Sequence, residues 1–215
     1  RKRAPCNGRH HWPRAATLDR IAKSFQQAPS YPPGYFLGAV NRMIIEGVIT
    51  TTNPDGSTNV APLGPLVDEQ LDSFLLRPFQ SSTTFHNLVN RRAGVFHITD
   101  DVELIAQAAI GQMRDPPPML PATVVSGHVL ATACRWFELE ITAVNDAEPR
   151  SEITCKVVHR GRLRDFWGFC RAKHAVIEAA IMATRIDFLP HESIHDEIQR
   201  LATIVEKTAG DAEHR

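Results

Sequence analysis

At 215 residues, 43% hydrophobic and 22% charged, the chain has an ordinary globular composition and room for one good-sized domain with a small appendage. Lys+Arg and Asp+Glu both number 24, but eight of the bases and only Asp19 of the acids precede Met43, leaving 16 basic and 23 acidic residues beyond it, a net of −7. An acidic body argues against a nucleic-acid-binding surface, and no apolar run is long enough to span a bilayer. Four cysteines (Cys6, Cys134, Cys155, Cys170) without CxxC pairing fit reduced thiols in the cytoplasm.

Residues 1–42 are rich in Pro and Arg, carry scattered aromatics and show no sustained period. They read as a basic extension outside the fold, with a nucleic-acid arm as the functional alternative; the run MIIEGVITTTNPDG from Met43 reads as the start of the folded chain. Residues 44–52 are β-branched and end at Asn53-Pro54-Asp55-Gly56, a turn signal, after which 58–66 resume as the second strand of a hairpin. Pro62 and Pro65 within it argue for an edge position or an irregular strand. A third strand covers 73–77, a short helix 84–92, a fourth strand 93–99, and a helix 102–111, followed by a proline-rich excursion over 113–121. Alternation marks strands at 136–144 and 152–159. From Asp165 the period becomes helical through Arg185, Pro190 breaks it, and a second helix runs over 192–208 and closes at Gly210. At least six short antiparallel strands followed by a helical hairpin favour a barrel or sandwich, mainly β with some α.

The stretch LLRPFQSSTTFHNL (75–88) joins Arg77 to four consecutive hydroxyl residues, Ser81 to Thr84. One hydroxyl would cap the helix that follows; four beside a guanidinium also suit a phosphate, which the free N–H groups of a helix start attract. Both readings stand at this point. No GxGxxG or GxxxxGK[ST] sequence occurs, so a phosphate here would belong neither to a Rossmann crevice nor to a Walker loop. His191 and His195, four apart, lack a third metal ligand and read as surface residues, and no metal site is expected. Trp136 and Trp167 read as buried or interface aromatics, or as stacking partners for a ring. Asp100 and Asp101 read as a strand-ending turn, because neighbours in a strand face opposite ways. Arg171, Glu178 and Arg185 recur every seven residues as a charged stripe, either solvated or at an interface or site mouth. No catalytic residue can be named.

The order hairpin, strand, Arg-Pro and hydroxyl turn, short helix, strand resembles the flavin-binding split barrel. The pieces MIIEGVITT, NVAPLGP, LLRPFQSSTTFHNL, VFHITDDV and GFCRAKHAVIEAAIMATR resemble, more narrowly, the family numbered 447 among domains of unknown function, over residues 43 to 210. The resemblance implies a split β-barrel flavin domain at 43–160 and a C-terminal helical hairpin at 161–215, with FMN as cofactor. It implies that Arg77, Pro78, Ser82, Thr83, Thr84 and Asn87 surround the phosphate turn, and that Asn59, Val60, Ala61 and Pro62 lie along the flavin ring. It further implies a homodimer with the flavin site at or near the subunit interface and a small-molecule electron donor or acceptor. His97 stands where the family is expected to carry Asn. Two functions follow: an FMN-dependent oxidoreductase or flavin reductase, or a non-catalytic flavin carrier, sensor or assembly protein, with a link to pterin-dependent one-carbon metabolism suggested by where the family occurs.

Overall fold

A computed structural model describes residues 43–214 except Arg114 and Asp187; the extension expected at 1–42 lies outside the described residues. Among the described residues, ten strands and four helices follow one another as β1 (Met43–Ile44), β2 (Gly47–Thr52), β3 (Thr58–Leu63), β4 (Leu66–Val67), β5 (Ser73–Leu76), α1 (Thr83–Arg91), β6 (Ala93–Ile98), α2 (Val102–Ala109), β7 (Met119–Pro121), β8 (His128–Leu130), β9 (Arg135–Asn145), β10 (Glu152–Arg162), α3 (Arg171–Ala183) and α4 (His191–Thr208).

Eight of the strands form one antiparallel sheet in the order β1-β4-β5-β10-β9-β6-β2-β3. Two short connections dictate its shape. β1 and β2 stand six places apart in that order, which would be roughly 29 Å in a flat sheet, yet only Ile45 and Glu46 separate them. Three Cα steps reach about 10 Å. β3 and β4, joined by Gly64 and Pro65, impose the same constraint. The sheet therefore curls until its ends approach, a barrel left split where β3 pairs with β2 alone. The single strand expected at 44–52 is two strands for this reason: residues 43–44 pair with β4 at one end of the order, and 47–52 with β3 and β6 at the other. Pro62 on the edge strand β3 leaves no ladder bond unmade.

Alternation along β2 divides the core. Ile49 faces a cluster with Phe74, Leu76, Phe96, Phe137 and Ile153, sealed by Phe85 and Leu88 of α1. Phe74 lies 5.5 Å from Phe96 and 5.3 Å from Phe137, ring centre to ring centre. Val48 faces the other way, toward Leu104 and Ile105 of α2 and Leu130 of β8, where Ile177 of α3 joins them.

Two further features depart from the sequence reading. The proline-rich excursion contains β7, which pairs with β8 in a separate hairpin. The loop of that hairpin is held by the wholly buried Glu138, whose carboxylate accepts the N–H groups of Thr123 (2.8 Å), Val124 (2.6 Å) and Val125 (2.9 Å). Burial alone would raise its pKa; these donors outweigh it and hold the pKa low. The first C-terminal helix begins at Arg171 rather than Asp165. Residues 163–170 form an irregular linker: Asp100 accepts the N–H of Trp167 at 2.9 Å and Gly168 takes φ of +102°, a conformation that interrupts a helix.

Candidate functional site

Pro78 ends β5, since it has no N–H for the ladder, and the turn it opens packs on the loop between β9 and β10. The Pro78 carbonyl accepts both the N–H (3.1 Å) and the hydroxyl (2.8 Å) of Ser151. Gln80 donates its side-chain amide to the carbonyls of Asp146 (2.6 Å) and Glu148 (2.7 Å). Arg150 donates from Nε to the Arg77 carbonyl at 3.1 Å, and its guanidinium lies 5.6 Å from the centre of the Phe79 ring. The Arg77 Nε is buried and has no hydrogen-bond partner. Neither Arg77 nor Arg150 pairs with a carboxylate among the described residues. Burial, then the like charges of Arg77 and Arg185, press the Arg150 pKa below the usual arginine value. A buried donor without a partner and two guanidiniums without a counter-charge make an arrangement that an anion would complete.

The hydroxyl cluster divides its work. Ser82 is the N-cap of α1: its Oγ accepts the N–H of Phe85 at 3.1 Å and donates to the Phe79 carbonyl at 2.7 Å. The cap reading of the sequence is therefore met by Ser82, which leaves Ser81, Thr83 and Thr84 outside it. Thr83 is exposed at the first helical position, where N–H groups lack intrahelical acceptors. Thr84 is buried and its Oγ1 accepts from the Asn59 amide at 3.1 Å; the same amide reaches Thr51 Oγ1 at 3.1 Å. Asn59 thus ties the free edge strand β3 to the helix start. Asn87 is buried one turn on, and its amide is committed to Thr51 (3.1 Å) and Asn53 (2.8 Å), a structural clamp between α1 and β2. Val60, Ala61 and Pro62 are half-buried along β3, with Val60 and Ala61 turned to opposite clusters.

The sequence missed Arg150 and Ser151. Both sit in a polar turn between two alternating strands, and a separation of 73 residues conceals their approach to Arg77 and Pro78.

Other candidates resolve into structure. His97 is fully buried; its Nδ1 lies 3.1 Å from the Val48 carbonyl and its Nε2 accepts the Leu130 N–H at 3.0 Å, which makes it a neutral brace between β2 and β8. Burial pushes its pKa down to about 4, against the opposing bond to Val48. Asp101 caps α2 through Leu104 N–H at 3.0 Å. Asp100 is buried and takes a two-pronged bond from Arg164, which holds its carboxyl down to about 2. Lys173 reaches the Asp100 carbonyl at 2.6 Å, so one residue pins both the linker and α3. Trp136 is half-buried and lies against Gly161, where any Cβ would enter its ring; Trp167 is 85% exposed. His191, His195, Arg171, Glu178 and Arg185 are exposed. No helix among the described residues is long and apolar enough to cross a membrane.

Two family models match the chain: residues 45–164 match the N-terminal domain of the protein of unknown function DUF447, and residues 170–215 match its companion C-terminal model. Among solved structures, an FMN-bound protein of the same family from Methanosarcina mazei is 20% identical and superposes with a TM-score of 0.66 over 81% of this chain and 91% of that one. The likeness shows the fold, a split barrel followed by two helices. An FMN-binding protein from Thermus thermophilus (14% identity, TM-score 0.47, 63% of this chain and 80% of that one) and the 2-nitrobenzoate 2-nitroreductase of Pseudomonas fluorescens (16%, 0.47, 71% and 76%) resemble it more distantly. No curated protein matches the chain.

Proposed function

The chain belongs to the DUF447 family of proteins of unknown function, and on that footing we propose that it is an FMN-binding flavoprotein that acts as an oxidoreductase or flavin reductase. The observation that carries the reading is the buried Nε of Arg77 beside Arg150: among the described residues that Nε has no hydrogen-bond partner and neither cation has a carboxylate partner. A phosphate monoester supplies the missing acceptors and charge. Arg77, Arg150 and the exposed start of α1 at Thr83 would hold it, with Ser82 and Asn87 fixing the helix and Pro78 the turn. Asn59 to Pro62, on an edge strand with one partner, would lie along the flavin ring and address its polar rim with backbone groups.

FMN, when bound, supplies the electron chemistry, and the protein orients it and shields it from side reactions. The one phosphate cradle and the lack of a second nucleotide motif favour FMN over FAD. The M. mazei relative is itself described as FMN-bound, which supports the same choice.

The visible spectrum of purified protein, followed by anaerobic addition of NADH or NADPH, tests the proposal. A flavin band that bleaches on turnover timescales is the expected result, and the flavin released by denaturation should chromatograph as FMN. Colourless protein that takes up no added FMN refutes the binding; bound flavin that no donor reduces moves the function to a carrier, sensor or assembly role.

A further inference from the structure

A second basic site lies at the opposite end of the β9–β10 ladder. Arg77 follows the residue paired with Ile153, whereas Arg162 closes β10 nine residues further on, roughly 30 Å away at strand rise. There a cavity of about 550 Å³ is walled by Arg135, Arg160, Arg162 and Arg164, with Asp165 as the one acid and Phe166 as the aromatic. Its size falls within the range of small-molecule sites.

The four guanidiniums are not equivalent. Arg164 is spent on the buried Asp100 and on the carbonyl of Thr132, and it fixes the wall. Arg160 pairs with Asp72 and also makes long bonds to the carbonyls of Gln70 (3.3 Å) and Leu71 (3.4 Å), while Arg162 pairs with Asp165; both carboxylates are well exposed, at 66% and 82%. Exposed pairs of this kind contribute little and give way to a better anion. Arg135 has no carboxylate partner among the described residues. Arg135 and Arg160 both rest on the Phe137 ring, 5.2 and 5.8 Å from its centre. Phe166 is half-exposed on a segment made rigid by the Asp100 bonds to Arg164 and Trp167.

We propose that this cavity binds a nucleoside phosphate, its phosphates on Arg135, Arg160 and Arg162 and its base on Phe166. The distance from Arg77 makes this a different site from the phosphate cradle within one protomer, and the inference stands whether or not flavin binds there.

Equilibrium dialysis of the full chain against ADP and, separately, inorganic pyrophosphate tests it. Saturable ADP binding below millimolar concentration is expected, weakened at least tenfold in Arg135→Glu and Arg162→Glu and unchanged in Arg77→Ala. Both altered arginines are exposed, so thermal unfolding should match that of the unaltered protein. Phe166→Ser should weaken ADP and leave pyrophosphate unchanged. The proposal is overturned if neither probe saturates, if binding survives both charge reversals, if Arg77→Ala abolishes it, or if ADP binds no better than pyrophosphate.

Discussion

The Nε–H of Arg150 meets the carbonyl of Arg77 at 3.1 Å, so two guanidiniums 73 residues apart in the chain are brought together with no carboxylate partner among the described residues. Placing like charges side by side where two segments pack in partial burial costs stability unless a ligand repays it. Arg77→Ala and Arg150→Ala should each weaken FMN by roughly tenfold to a hundredfold, since hydrogen bonds to charged groups contribute about 1.5–3 kcal/mol. Riboflavin, which has no phosphate, should be affected far less. Fluorescence titration with both ligands reads the difference; equal losses in a folded protein would dispose of the cradle.

Ser82 and Thr84 separate capping from binding. Ser82→Ala removes the N-cap of α1 and should lower unfolding stability by about 1 kcal/mol. Thr84→Ala removes one of the two acceptors of the Asn59 amide, the one that ties β3 to α1, and loosens the β3 edge. Hydrogen exchange should rise along residues 58–63 in that variant while the start of α1 stays protected; unchanged exchange along β3 would contradict the assignment.

His97 gives the protein an acid-side instability with a defined window. The folded protein keeps this ring neutral down to about pH 4, whereas the unfolded chain protonates near 6.5. Between those values the unfolded state binds more protons, so stability falls as pH drops, by roughly 3 kcal/mol across the window, and levels off below it. Asp100 and Glu138, both with lowered pKa values, contribute stability that is lost as pH falls through their unfolded values of 3.8 and 4.5, so Glu138 adds to the slope at the acid end of this window and Asp100 acts below it. Denaturant titrations at pH 7, 5.5 and 4.5 should show the slope, and His97→Gln, less stable at pH 7, should flatten it.

Asp100 joins the barrel to the helical hairpin. Asp100→Ala strands Arg164 and frees the Trp167 amide, with an expected loss of about 2 kcal/mol, moderated because Arg164 is partly exposed. Limited proteolysis should then cut within residues 163–170 faster than in the unaltered protein. Equal resistance would mean that the linker is held by something else.

A homodimer that shares the flavin site is the expected assembly. Phe79, beside the cradle, is 58% exposed, and Phe169 and Phe188 are 97% and 84% exposed, more aromatic surface than a monomer ordinarily leaves open. Light scattering at micromolar concentration should give twice the chain mass, and deletion of residues 1–42 should leave both dimer and flavin intact. A monomer with flavin still bound would refute the shared site.

The elements with strong local signals were legible in the sequence. The turn at 53–56, the alternation of β9 and β10, the edge proline of β3 and the capped start of α1 each depend on neighbours within a few residues, which is why pattern alone locates them. The tertiary structure decided what depends on distant partners. Nothing near Ile45 shows that the strand must switch ends of the sheet; closure of the barrel requires it. The helical period from Asp165 is real in composition, but a carboxylate 67 residues away captures the Trp167 N–H and delays the helix to Arg171. His97 reads as a candidate contact until both ring nitrogens are seen to be occupied by backbone. Arg77 was visible as one cation among hydroxyls, while Arg150, which turns it into a site, became visible only when β9 and β10 folded their turn against it, because a hydrogen bond across 73 residues leaves no period in the sequence.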